Sequence, residues 1–125
     1  MRNTYTQNQS IGLTGEAAYE ELYARLARWT GEATHLYHVG QPTDAEAKLH
    51  RCIELLGYMD NGIDLSRSRD IALTILSLHR FAIRTLVKAK AESDPLELEG
   101  LVKVLVALGE IFAAIRVSQS ATPAA

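Results

Sequence analysis

Only one cysteine, Cys52, occurs among the 125 residues, so no disulfide within the chain can staple the fold. Its neighbours are apolar at helical spacing, which reads as a small buried hydrophobe in a reducing compartment. Charge of one sign is also lacking. Thirteen Lys and Arg stand against 15 Asp and Glu, a net charge of −2 spread along the chain, which leaves no footprint for a phosphate backbone and excludes a nucleic-acid partner. Long apolar runs are missing too. The greasiest window, 101–117, is interrupted by Lys103, Glu110 and Arg116, too polar for a membrane span. The first ten residues hold no hydrophobic stretch of the kind a signal peptide needs. The expectation is a cytoplasmic protein with no membrane partner.

No alternating strand pattern and no Gly-rich phosphate loop competes with helix. At 47% hydrophobic and 22% charged residues the balance is that of an ordinary globular domain able to bury a core. Four helical periods follow one another. The first is expected over 14–39, with Thr14 as N-cap, and Tyr19, Leu22, Leu26, Trp29, Ala33 and Leu36 inward at spacings of three and four. Gly40 and Pro42 stop it. The second, over 44–63, is capped by Asp44 and has Leu49, Cys52, Leu56, Met59 and Ile63 as its stripe; Gly57 and Gly62 weaken it, so it is expected to be the least stable of the four. The third, over 67–92, carries apolar residues nearly all the way round, which predicts burial against several neighbours.

The fourth, over 94–117, opens on Asp94-Pro95-Leu96-Glu97, which reads as N-cap, first-turn proline and capping box. Leu98, Leu101, Leu105, Leu108, Phe112 and Ile115 form its stripe, with Val102, Val104, Val106 and Ile111 beside it. Together they span an arc of roughly 220°, about twice what one buried face requires. Surplus apolar surface implies a central position or a partner. Short connections then give an all-α, antiparallel up-down-up-down four-helix bundle over 14–117. An N-terminal arm, 1–13, precedes it and a disordered tail, 118–125, follows.

Reactive chemistry finds little support. Glu32-Ala33-Thr34-His35 has the i, i+3 spacing of a carboxylate-bridged metal site, but the second copy such a site needs is missing. His35 and His38 read as solvent-facing residues at a helix end, where they suit the dipole. His79 raises histidine phosphotransfer, since phosphotransfer domains are also four-helix bundles. Arg80-Phe81-Ala82 follows it in place of the Lys and Gly those domains carry, and a half-buried histidine is the favoured reading. No nucleophile–base–orienter set, cofactor site or metal site is expected, and binding is better supported than catalysis.

The spacing of several residues resembles the FliS family of flagellin export chaperones. Tyr5 and Gln7 lie in the arm, Thr14 stands at the first helix start, and Leu22-Tyr23 and Ala33 follow at the family's distances. Ile63-Asp64 and Leu65 fall at the end of the second helix, and Leu78-His79-Arg80-Phe81, Thr85-Leu86 and Ala89-Lys90 keep the register of the third. Asp94 and Phe112 match in the fourth. Departures are Gly15 for a Pro, Ala18 for a Leu, His79 and Phe81 for two tyrosines, Lys90 for an Asn and Phe112 for a Trp. His79 and Lys90 are the two that would alter a partner surface.

The resemblance implies a chaperone, not an enzyme. Its expected partners are the C-terminal segment of flagellin, kept from polymerising and handed to the type III export apparatus, and a component of the export gate. The partner-binding residues it suggests are Tyr5, Ile11, Leu22, Tyr23, Leu78, His79, Phe81, Leu105 and Phe112, with Tyr5 and Ile11 able to cover the groove when no client is present. The chain alone is expected to be a monomer or weak homodimer. The alternatives are phosphotransfer through His79 and a plain helical dimerisation module.

Overall fold

The computed structural model describes residues 15–64, 66 and 69–121, with side chains to Ser118. The described residues form four helices: α1 Gly15–His38, α2 Pro42–Asp60, α3 Arg69–Glu92 and α4 Leu98–Ala121. No strand occurs among the described residues. Cross-helix pairs fix the directions. Thr30 meets Cys52 while Tyr19 meets Met59, so α1 and α2 run antiparallel. Glu20 binds Arg116 while Tyr23 lies against Gly109, so α4 also runs against α1. Tyr23 with His79, and Tyr37 with Ala89, put α3 parallel to α1 across the diagonal. The bundle is antiparallel and up-down-up-down.

Local chemistry sets each turn. Gly40 takes φ +77°, and the N–H of Gln41 reaches the Leu36 carbonyl at 2.8 Å while that of Gly40 reaches Tyr37 at 3.2 Å. These paired bonds close α1 in a left-handed glycine cap. Pro42 is the first residue of α2, where a missing N–H costs nothing. Asp44 therefore lies in the first turn of α2 instead of capping it, with Gln41 in the cap position. The other end stops at Asp60, short of Ile63.

Two expectations about α4 change. Its helix begins at Leu98, because Asp94 accepts a hydrogen bond from the Leu96 N–H at 3.0 Å and holds 94–97 as a turn. Glu97 does not form a capping box; its carboxylate takes the Lys88 ammonium of α3 at 2.7 Å. At the far end α4 runs on to Ala121, past the expected end at Val117. The Thr14 cap lies outside the described residues.

The core is the aliphatic interior of all four helices, from Leu22, Leu26, Leu49, Leu56 and Met59 through Leu86 to Leu98, Leu101, Leu105 and Leu108. Each such side chain contributes about 1.5–3 kcal/mol on burial. Trp29 is only half-buried, with the Arg25 guanidinium 6.0 Å from its ring centre. The central helix is α1, packed closely on both α2 and α4, whereas α3 rests on α2 and touches α4 lightly. The apolar girdle of α3 is therefore not wrapped by neighbours as its composition suggests: Ile71, Leu73, Phe81 and Val87 are 42–54% exposed. On α4, Val106, Ile111 and Val117 are also left out.

Candidate functional site

The loose contact between α3 and α4 leaves a seam, and its geometry follows from helical phase. At the end where α1 starts and α4 finishes it widens into a groove of about 530 Å³, with Tyr19, Ile71, Ile75, Phe112 and Ile115 on its walls and Gly15 and Gly62 at its rim. Ile115 therefore marks the flank of α4 that faces α3. Val104 and Ile111 lie within about 40° of it at 100° per residue. On α3, Lys88 reaches across to Glu97, and Phe81 shares its side to within about 20°. Leu78 sits between Phe81 and Ile71 in phase. By helical phase the seam is thus apolar on both lips, with Phe112 lining its wide end and the Lys88–Glu97 pair bridging α3 to the start of α4 at the far end. From Ile71 to Lys88 it runs about 25 Å at 1.5 Å per residue.

Beneath the wide end lies a polar and aromatic network. Tyr19 donates its hydroxyl to the Met59 carbonyl and stacks on Phe112 with ring centres 5.3 Å apart. Tyr23 is edge-on to Tyr19 at 6.2 Å and to His79 at 5.6 Å. His79 is fully buried, its Nε2 2.5 Å from the Tyr23 hydroxyl and its Nδ1 2.5 Å from an Asp60 carboxylate oxygen. An ionised carboxylate only accepts, so Nδ1 carries the hydrogen and Nε2 accepts from Tyr23. Burial outweighs the Asp60 carboxylate and lowers the His79 pKa from 6.5. Burial also pushes the phenol of Tyr19 up to about 12 and that of Tyr23 higher still. All three side chains are uncharged ties between helices.

The residues singled out from sequence fall in three groups. Phe112 lines the groove; Leu78 and Phe81 lie on the α3 flank of the seam by helical phase, half-buried and 43% exposed respectively, and Leu105 is buried in the core. Leu22, Tyr23 and His79 are inside the bundle. Tyr5, Ile11 and Leu65 lie outside the described residues. Sequence reasoning missed Ile71, Val104, Ile111 and Ile115 as groove residues. Their signal was present as the surplus width of the α3 and α4 apolar arcs, but it could not say which flank stayed open.

The other chemical candidates resolve in physical terms. Both ring nitrogens of His79 are engaged by inward partners, so it offers no nitrogen to a phosphoryl donor. Burial raises the Cys52 thiol to about 11, far from a reactive thiolate. Glu32 pairs with Lys48 at 2.9 Å, and His35 and His38 are exposed. No group of metal-ligating side chains converges among the described residues.

The described residues thus form a four-helix bundle with an apolar groove between α3 and α4. The family model for the flagellar protein FliS matches residues 1–119. The chain belongs to the FliS family of flagellar export chaperones, which are not enzymes. No curated protein and no solved structure matches it significantly. No helix among the described residues is long and apolar enough to cross a membrane.

Proposed function

We propose that this protein is a cytoplasmic chaperone that binds the C-terminal segment of flagellin, prevents its premature polymerisation and assists its delivery to the export apparatus. The observation that carries the reading is the open seam between α3 and α4 in a chain of this family. Ile71, Phe81 and Ile111 are roughly half exposed there, which costs solubility unless a partner covers them. An amphipathic segment lays its apolar side chains into such a groove at i, i+3 and i+4. Ordering a free disordered segment costs about 2–5 kcal/mol or more, offset by burying on the order of 1,000–3,000 Å².

The arm fits the same scheme. The chain enters α1 at Gly15, on the rim of the groove, so Tyr5 and Ile11 of the arm are the side chains that compete with the client. Calorimetry with the C-terminal segment of flagellin from the same organism tests the reading. One-to-one binding with a negative heat-capacity change, lost with flagellin lacking that segment and strengthened by deleting residues 1–13, is the expected result. No binding at high micromolar concentration would overturn it.

A further inference from the structure

The pole of α3 directly opposite its core carries a second, separate surface. Leu73, Arg80, Arg84 and Val87 fall within an arc of about 60° at 100° per residue, over about 21 Å of helix. All four are exposed, Leu73 at 42% and Val87 at 49%. A helix facing water ordinarily places Glu and Lys one turn apart there, gaining a few tenths of a kcal/mol per pair. This helix does the reverse. Arg80 and Arg84 are like charges at i, i+4, which repel, and no Asp or Glu occurs anywhere between Ile71 and Ala91 in a protein of net charge −2. Lys88 is taken by Glu97. Neither Arg80 nor Arg84 forms an ion pair or hydrogen bond among the described residues.

Two arginines without an ion partner, bracketed by two exposed aliphatics, thus share one face of α3. We propose that this pole of α3 docks a helical segment of another protein carrying two carboxylates one turn apart with an aliphatic residue on either side. Guanidinium forks favour carboxylates in bidentate geometry, and the aliphatics at the ends give the partner apolar ground on which to close. A membrane surface is the poorer fit, because lipid-binding stretches cluster 4–8 cations and this arc, counting Arg69 one turn before Leu73, has three. The stripe lies about 90° round α3 from Phe81, so it stays open when the α3–α4 seam is filled.

The test uses the full chain and a designed 18-residue helical peptide bearing a Glu pair at i, i+4 with flanking leucines, beside a copy with Gln for Glu. Binding is followed by amide chemical shifts with and without the flagellin segment. The Glu peptide is expected to bind in both states, to shift the amides around Ser77 and Arg84, and to weaken with salt. Arg80→Glu with Arg84→Glu should weaken it at least tenfold, and a Lys-bearing peptide should restore binding to that variant. Both positions are exposed, so the fold is kept. Equal binding of the Glu and Gln peptides, or no loss in the double variant, would overturn the proposal. So would binding to vesicles of anionic phosphatidylglycerol in place of the peptide. Self-association of the native chain that the double variant abolishes would overturn it in favour of a second copy.

Discussion

The imidazole of His79 accepts the hydroxyl proton of Tyr23, with Nε2 and the phenol oxygen 2.5 Å apart in a place that solvent does not reach. Protonating that nitrogen would remove the acceptor of the Tyr23 hydroxyl and place a charge in a buried site. In the unfolded chain His79 binds its proton near pH 6.5, and in the bundle burial lowers that value. Below pH 6.5 the unfolded chain therefore holds more protons, and stability falls as pH falls until the folded-state value is passed. Urea unfolding between pH 7.5 and 5.5 should show this slope. His79→Phe should flatten it and cost about 1–3 kcal/mol at pH 7.5 by leaving the Tyr23 hydroxyl unpaired.

Two glycines near the end of α2 should respond with opposite signs. Gly57 is exposed, and a methyl group there would meet nothing within 4 Å. Gly57→Ala is expected to stabilise the protein by about 1 kcal/mol through helix propensity. At Gly62 the same methyl would overlap the Tyr19 hydroxyl, which is held by the Met59 carbonyl. Gly62→Ala should cost about 1–3 kcal/mol. Denaturant midpoints of the two variants decide it.

Ser93 ends α3 with φ +50°, in the left-handed region. The N–H of Asp94 bonds back to Ala89 at 3.1 Å and that of Ser93 to Lys90 at 3.4 Å, the pattern that glycine completes for α1 at Gly40. A serine there carries strain that glycine would not. Ser93→Gly should raise stability by about 0.5–1 kcal/mol, read from the thermal midpoint.

Groove and core substitutions should separate in kind. Phe81→Asp and Ile111→Asp place a charge on the lips of the seam, where both residues are already nearly half exposed. They should weaken binding of the flagellin segment at least tenfold while changing stability by less than about 1 kcal/mol. Leu105→Ala, in the buried core, should cost about 2–5 kcal/mol of stability. Calorimetry alongside urea unfolding separates the two effects.

Much of this molecule is legible in its sequence. Gly40 followed by Pro42 marks a boundary, because few residues tolerate a left-handed cap and proline suits a first turn. The stripe from Leu98 to Phe112 predicts its own burial for the same periodic reason. The reading failed where two partners compete for one group. Asp94 could cap a helix or hold a turn, and Glu97 could reach back to its own cap or across to Lys88; the ion pair with α3 depends on packing that periodicity does not encode. Nor does periodicity reveal that α1, not α3, is central. That depends on which flanks meet, and so the open seam at Ile71 and Ile111 emerges only from the fold. His79 shows the same limit: its position beside the stripe suggested half-burial, while its full enclosure rests on Asp60 and Tyr23 arriving from two other helices.

The most direct measurement is methyl NMR of the isoleucines on addition of the flagellin C-terminal segment. Binding in the α3–α4 seam predicts large shifts at Ile71, Ile111 and Ile115, with Ile53 and Ile83, on other flanks of α2 and α3, left in place. Shifts confined to Ile53 and Ile83, or none at saturating segment, would contradict it.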